Sequence, residues 1–230
     1  MYLFLSNKNP QEQSLLWERI KEQETSKNTD LIDSLTRYIL ESGKKNFEER
    51  IAVSTLLFSA LEYLKNNGVV EKIGVLKKTQ LGRPYLDGGD ADISISHTKD
   101  YVLVGISADT EIGVDIEREI YEGRAKNLEK RFFDGIDFSC RLKDESCRED
   151  MHCFEFSQGK FSQLALFPTE GGFTSKWTLA EAVMKCDGSG FSSLQSISQL
   201  SEAMVLGSYI VNKNGKNIYI SVAEKNKKER

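Results

Sequence analysis

The chain has few of the residues that build zinc sites. It contains four cysteines and two histidines in 230 residues, and the cysteines form no CxxC pair. Because zinc is normally held by paired cysteines or by cysteine with histidine, a zinc site is not expected. The cysteines are expected to be free thiols in a reducing compartment. They are Cys140, Cys147, Cys153 and Cys186.

Long apolar runs and an excess of positive charge are missing as well. The first apolar run, Tyr2 to Leu5, is too short for a signal peptide or a membrane span, and no later run approaches that length. The net charge of −4 argues against a general nucleic-acid binder. We therefore expect a cytoplasmic protein without a membrane or nucleic-acid partner.

What the chain does have is enough apolar side chains for one large core or two small ones, at 39% hydrophobic residues. Apolar periodicity predicts helices at about 11–22, 30–40 and 47–65. The third carries one buried stripe, made of Val53, Leu56, Leu57, Ala60, Leu61 and Leu64. Between 69 and 117 the period changes to two, which predicts strands, with a hairpin turn at 108–111.

Two carboxylates occur close together on one of these predicted strands. Asp115 and Glu117 are two residues apart, so both side chains lie on one face of the strand. Like charges this close favour a bound cation, and oxygen ligands without nearby cysteine or a second histidine favour Mg²⁺ over zinc. The alternative is that the two residues form the solvated face of an edge strand.

A third carboxylate and a lysine share one face of a later helix. Glu181 and Lys185 are four residues apart, which places them one turn apart, and Gly188 is expected to end the helix. The alternative is that Thr178 begins a capping box with Glu181, and that Lys185 is an ordinary helical ion-pair partner. A hairpin of strands at 205–211 and 218–222 is predicted to close the chain.

Four short motifs occur in order along the chain. They are Gly82-Arg83-Pro84, Ile95-Ser96-His97-Thr98, Gly113-Val114-Asp115-Ile116-Glu117, and Trp177-Thr178-Leu179-Ala180-Glu181-Ala182 with Lys185, Gly188 and Gly190. The ordered set resembles the 4′-phosphopantetheinyl transferases of the surfactin-synthetase-activating type, over roughly Phe47 to Phe191 with a gap. That family usually has lysine immediately before the helix glutamate, where this chain has Ala180. The departure affects one positive contact and leaves the three carboxylates in place.

The resemblance implies an α+β fold, in which two α/β halves form a pseudo-twofold duplication with the active site in the cleft between them. The expected halves are residues 1–118 and 119–230, and a variable insertion is expected at about 135–172. The implied activity is Mg²⁺-dependent transfer of 4′-phosphopantetheine from coenzyme A to a serine of an apo acyl or peptidyl carrier protein, with release of 3′,5′-ADP. We expect the enzyme to be a monomer.

The resemblance also implies a role for each residue of the site. Mg²⁺ would be held by Asp115, Glu117 and Glu181. Glu181 would accept the serine proton, and Lys185 would stabilise the charge on the phosphate. The remaining residues would hold the nucleotide half of coenzyme A. They are Arg50, Arg83, Ser96 and His97.

Simpler interpretations stay open for several of these residues. Arg50 can be a solvated helix residue, His97 can satisfy a turn, and Gly82-Arg83-Pro84 can be a turn without a ligand. Two other functions are also open. One is a non-catalytic homologue that binds coenzyme A or a carrier protein, and the other is an α+β domain with a structural Mg²⁺ or Ca²⁺.

Overall fold

The computed structural model describes residues 1–23, 29–133, 151–169, 172–190, 197–202 and 204–227. It confirms the expected α+β class. Of the expected insertion at 135–172, the described residues include only 151–169 and Gly172, and Cys140 and Cys147 lie outside them. No helix in the described ranges combines the length and the apolar character that a membrane span requires.

The elements follow one another with strands and helices intermixed. In chain order they are β1 (Tyr2–Asn7), α1 (Pro10–Gln23), α2 (Thr29–Leu40), α3 (Gly43–Asn66), β2 (Val75–Lys78), β3 (Pro84–Asp87), β4 (Asp92–His97), β5 (Tyr101–Ser107), β6 (Thr110–Arg118), α4 (Glu122–Leu128), a π-helical turn (Glu129–Phe133), β7 (His152–Ser157), β8 (Lys160–Gln163), β9 (Phe167–Pro168), α5 (Gly172–Asp187), α6 (Ile197–Glu202), β10 (Val205–Lys213) and β11 (Lys216–Asn226). The three predicted N-terminal helices and the C-terminal hairpin are confirmed.

The chain divides into two compact units. Unit 1 contains Met1–Ala108 and His152–Leu164, and unit 2 contains Asp109–Met151 and Ala165–Arg230. The strand β6, which carries Asp115 and Glu117, therefore belongs to the same unit as α5.

Unit 1 is built on a five-stranded sheet in the order β4-β5-β1-β7-β8. The strand β1 is antiparallel to β5 and parallel to β7. The helix α3 packs against β1 and β5 and is flanked by α1 and α2. The whole predicted stripe of α3 is buried, because it faces the sheet and the two other helices.

Unit 2 is built on a four-stranded sheet in the order β6-β11-β10-β9. The helix α5 packs against β6 and β11, and its buried face includes Leu179 and Val183. The predicted turn at the tip of the last hairpin is present, with Asn214 and Gly215 at φ of 54° and 74°. Both residues have positive φ, as expected for a two-residue turn that matches the twist of its strands.

The hairpin predicted at 108–111 is wrong. The strand β5 pairs with β4 on one side and with β1 on the other, so neither of its edges is open to β6. The strand β6 instead pairs along its full length with β11. The polar residues at 108–111 indicate a change of chain direction, which is a local property. Which strand pairs with β6 depends on tertiary packing, and the local sequence does not contain that information.

The two units repeat one topology. In unit 1, β1 is followed by helices and then by the hairpin of β4 and β5, with spatial order β4-β5-β1. In unit 2, β6 is followed by helices and then by the hairpin of β10 and β11, with spatial order β10-β11-β6. In each unit the first strand is antiparallel to the last. A strand, a helical segment and a hairpin therefore recur in the same arrangement.

Candidate functional site

The packing of α5 on β6 brings three of the predicted site residues into contact. Lys185 Nζ lies 2.6 Å from Asp115 Oδ1, and the side chain of Asp115 is only 6% exposed. Glu181, one helical turn before Lys185, lies close enough to Asp115 for the charge of Asp115 to raise its pKa. The two carboxylates and the lysine thus form one partly buried cluster within unit 2, which we call the carboxylate cluster.

A glycine on β6 makes this close approach possible. A Cβ atom at Gly113 would lie 2.0 Å from the carbonyl oxygen of Ala182 and 2.4 Å from the backbone nitrogen of Cys186. Real Cβ atoms do not approach that closely, so any larger residue would push the helix away from the strand. Since Asp115 is two residues further on the same strand face, Gly113 sets the distance between Asp115 and α5.

The cluster is short of positive charge. Burial, followed by the negative charge of Asp115, raises the pKa of Glu181 to about 7 from an ordinary value of 4.5, and Lys185 offsets this only in part. A carboxyl group in this state retains a proton near neutral pH unless a cation replaces it. The cluster can therefore exchange a proton, or bind a cation, at physiological pH.

Glu117 is the third carboxylate of the predicted metal site. It is half-buried, and its Oε1 accepts a hydrogen bond of 2.9 Å from the backbone N–H of Arg118. In the part of the chain that the structure describes, no group of three His, Cys, Asp or Glu side chains is spaced to hold a metal as it stands. The donor set nevertheless fits Mg²⁺ in its chemistry, because it is made only of carboxylate oxygens with unbalanced charge.

Two of the simpler interpretations of unit 2 are excluded. Thr178 does not begin a capping box, because α5 starts at Gly172, and its hydroxyl contacts the carbonyl oxygen of Thr174 and the hydroxyl of Ser221. Asp115 does not lie on a solvated face, since it is 4% exposed. Lys185 pairs with Asp115, so its ion-pair partner lies on another element and not only on its own helix.

Ala180, the position where the resembled family usually has lysine, is 1% exposed and packs in the core between α5 and its sheet. A lysine at this position would have to bury its stem among apolar side chains and bring its charge back to water. In this chain the position serves packing.

In unit 1, α2 and α3 position Arg50. Its Nη1 donates a hydrogen bond of 2.6 Å to the carbonyl oxygen of Tyr38, and its guanidinium lies 4.4 Å from the centre of the Tyr38 ring. Lys78, at the end of β2, places its Nζ 4.9 Å from the same ring. Two cations therefore share one aromatic ring, an arrangement that cation–π attraction favours and mutual repulsion opposes.

This ring borders an open cleft of about 280 Å³, lined by Ser34, Arg37, Tyr38, Glu41, Leu76, Lys77 and Lys78. Lys77 is paired with Asp87 at 2.6 Å. Arg37, Arg50 and Lys78 form no ion pair within 4.0 Å among the described residues. Burial, and then the charge of Arg50, lower the pKa of Lys78. Tyr38 and Lys78 were not among the predicted site residues, although the Lys77-Lys78 pair before Gly82 was a visible signal of a basic surface.

Two of the other predicted nucleotide-binding residues of unit 1, Arg83 and His97, are paired with acidic residues. Arg83 Nη2 lies 2.6 Å from Asp92 Oδ2, and both side chains are largely buried. His97 ends β4 with its Nε2 2.9 Å from Glu49 Oε1. Ser96 is 5% exposed. Its hydroxyl is therefore buried in the sheet, which leaves His97 as the accessible member of that pair.

The structure thus gathers Asp115, Glu181 and Lys185 in unit 2, and places Arg50 beside an open basic cleft in unit 1. No family model matches the chain, and no curated protein matches it.

Proposed function

We propose that the protein is a 4′-phosphopantetheinyl transferase, which moves the phosphopantetheine group of coenzyme A to a serine hydroxyl of an apo acyl or peptidyl carrier protein. The observation that carries this proposal is the carboxylate cluster, in which two neighbouring carboxylates are removed from water and a lysine contacts one of them. Such a cluster suits a reaction that needs a bound cation, a base and a positive charge in one place.

In the proposed reaction a bond forms between the serine oxygen and the phosphorus, and the bond from phosphorus to 3′,5′-ADP breaks. Asp115, Glu117 and Glu181 would hold Mg²⁺, which would neutralise charge on the pyrophosphate. Glu181 would accept the serine proton, directly or through a water molecule. Lys185 would contribute positive charge beside the reacting phosphate.

The basic cleft of unit 1 supports the binding of coenzyme A. Arg50 and Lys78 offer positive charge without an acidic partner, and Tyr38 offers a flat ring between them. Charge-assisted contacts of this kind are the strong ones for phosphate. Arg50 would then hold the 3′-phosphate, while Arg83 and His97 would hold the rest of the nucleotide. The side chain of Ser96 would not reach the ligand, because it is 5% exposed.

The proposal also includes the fold of the resembled family. The repeated arrangement of strand, helices and hairpin supports a duplication of two α/β halves, which is the architecture that the resembled family implies. The feature that the two halves share is the order and direction of their strands. We also propose that the enzyme is a cytoplasmic monomer.

The deciding experiment mixes the purified protein with Mg²⁺, coenzyme A and an apo carrier protein. Intact-mass measurement should show a carrier heavier by one phosphopantetheine group. Chelation of the metal should stop the gain in mass, and 3′,5′-ADP should inhibit it. If several unrelated apo carriers stay unmodified while coenzyme A still binds, the transferase proposal is wrong.

One observation favours a second candidate, a non-catalytic homologue that binds coenzyme A or a carrier. Ala180 stands where the resembled transferases usually have lysine, so one positive contact of that family is not supplied at this position. The same assay separates the two functions. A binder would retain coenzyme A in equilibrium dialysis and would leave every carrier at its original mass.

A further inference from the structure

A row of polar side chains crosses the sheet of unit 2 beneath α5. Asp115 on β6 lies opposite Ser221 on β11, and Ser221 lies opposite Ser208 on β10. Opposite residues of antiparallel strands point to the same face of a sheet, so the three side chains share one face. Each of them contacts a polar residue of α5. The contacts are Lys185 with Asp115, Thr178 with Ser221, and Ser175 with Ser208.

Four of these side chains are hydroxyls, and together they form one buried chain. Ser175 Oγ lies 2.7 Å from Ser208 Oγ, which lies 3.0 Å from Ser221 Oγ. Ser221 Oγ lies 2.7 Å from Thr178 Oγ1. None of the four residues is more than 4% exposed. Because a buried hydroxyl proton without an acceptor is costly, each proton of this chain needs a defined acceptor.

The direction of the hydrogen bonds follows from the number of protons. Four hydroxyls carry four protons, and the contacts between them use three. Within the described ranges, Thr178 is the member of the chain that also contacts carbonyl oxygens, those of Thr174 and Ser175 at 3.1 Å. Thr178 therefore donates to the helix backbone and accepts from Ser221. Ser221 in turn accepts from Ser208, and Ser208 accepts from Ser175.

Such a chain fixes a helix in a way that apolar packing does not. The apolar contacts of α5, made by residues such as Leu179 and Val183, attract without a preferred direction. Hydrogen bonds weaken when the helix turns or slides, because they require a narrow range of distance and angle. Thr178 lies three residues before Glu181, on the same side of the helix. The bond at Thr178 therefore sets the rotation of the turn that carries Glu181.

We propose that the hydroxyl chain is a positioning device, which holds α5 at the rotation that brings Lys185 to Asp115, and that Thr178 is its main positioning residue. The close approach at Gly113 sets the distance between helix and strand, whereas the chain sets the rotation of the helix and its place along the sheet. The use of the placed carboxylates as a metal site rests on the proposed function. Their placement by the chain does not.

Urea unfolding of the metal-free protein tests the direction of the chain. Thr178→Val keeps the shape of the side chain but leaves one buried proton without an acceptor, so it should raise the unfolding equilibrium constant about thirtyfold. Ser175→Ala removes the first donor, and the three remaining protons keep their acceptors, so it should raise the constant only about fivefold. A smaller effect of Thr178→Val than of Ser175→Ala would overturn the directed chain and the role of Thr178.

The charge of Lys185 provides a measurement that separates positioning from stability alone. Lys185→Met leaves the buried Asp115 without this cation and should raise the unfolding equilibrium constant about tenfold or more. Added to Thr178→Val, the same substitution should raise it by less than about threefold, because the contact is already loosened. Added to Thr178→Ser, which keeps the hydroxyl, Lys185→Met should have its full effect.

Thr174→Val is the matched control for this coupling. Thr174 is a buried threonine one turn earlier on α5, and its hydroxyl accepts a hydrogen bond of 2.9 Å from the backbone N–H of Ile120, outside the chain. Its loss should destabilise the protein, while Lys185→Met keeps its full effect in that background. If Thr178→Val does not fold, Ser221→Ala interrupts the same chain from the strand side and takes its place.

The positioning role and the transferase proposal fail in different ways. An equal effect of Lys185→Met in the unmodified protein and in folded Thr178→Val would overturn the positioning role. In the carrier assay, Thr178→Val should lower kcat about tenfold and change the KM for coenzyme A by less than about twofold. A normal kcat would overturn the role as well. If the unmodified protein modifies no carrier while the coupling is as expected, the transferase proposal falls and the positioning role stands.

Discussion

The two units have the same strand order, but their predicted ligand-binding residues differ in the sign of their charge and in their burial. In unit 1 the predicted ligand-binding groups are cations at a partly exposed rim, where Arg50 and Lys78 share the ring of Tyr38. In unit 2 they are partly or fully buried carboxylates between a helix and a strand, where burial and the charge of Asp115 together raise the pKa of Glu181. The arrangement of strand, helices and hairpin therefore does not decide the chemistry of a unit. The chemistry is decided by the residues on the helix and at the strand ends.

The largest expected effect is on carrier modification, and it comes from a substitution in the carboxylate cluster of unit 2. Asp115→Asn should reduce carrier modification by about 10² to 10³, because it removes a charge that both the cation and Lys185 require. The amide keeps the shape of the side chain, so the far-ultraviolet circular dichroism should not change. Glu122→Gln is the control, since Glu122 is an exposed residue of unit 2 that pairs with Lys126. Near-normal transfer by Asp115→Asn would exclude the proposed metal site.

The second effect is the pH dependence of stability. The pKa of Glu181 is about 7 in the folded protein and 4.5 ordinarily, so the folded state holds an extra proton between these values. The contribution of Glu181 to the unfolding free energy of the metal-free protein should therefore be largest below about pH 4.5. It should fall by about 2–3 kcal/mol as the pH rises to about 7.

Urea unfolding between pH 4.5 and pH 8 measures this fall. Mg²⁺ should reduce it, because the cation stabilises the charged carboxylate, and Glu181→Gln should remove the contribution of this residue. The same slope in Glu181→Gln and in the unmodified protein would show that the titrating group lies elsewhere.

The third effect concerns the packing that holds the buried carboxylates together. Gly113→Ala should lower the unfolding free energy by about 1–3 kcal/mol or more, because its Cβ would meet backbone atoms of α5 that cannot move independently. Gly123→Ala is the control. In α4 a Cβ at this position would lie 3.4 Å from the Tyr121 ring, and alanine is the better helix former by about 0.5–1 kcal/mol. A neutral Gly113→Ala would mean that α5 packs less tightly on β6.

The smallest effect is on coenzyme A binding, and it comes from a substitution at the basic cleft of unit 1. Arg50→Met should weaken coenzyme A binding about tenfold, as expected for one charge-assisted contact, and should weaken dephospho-coenzyme A much less. Arg19→Met, on the exposed face of α1, provides a control with the same loss of charge. Salt should weaken binding to the unmodified protein more than to Arg50→Met, because a partly exposed contact is screened. Equal losses for both ligands would remove Arg50 from the 3′-phosphate site.

Local patterns predicted the elements themselves. The stripe of α3 was visible because apolar residues at three- and four-residue steps form one face of any helix. The shared strand of Asp115 and Glu117, and the shared helix of Glu181 and Lys185, were visible for the same reason. The capping interpretation of Thr178 failed because the signal that begins α5 lies six residues earlier, at Gly172.

The sequence by itself determined which side chains share a strand or a helix, since residue spacing sets their directions within one element. Only the tertiary structure decided which elements meet. It paired β6 with β11 and not with β5, it buried Asp115 against Lys185, and it joined Glu49 to Lys8 and His97 across three elements. The physical reason is that packing and strand pairing act between residues far apart in the chain, where no local periodicity records the partner.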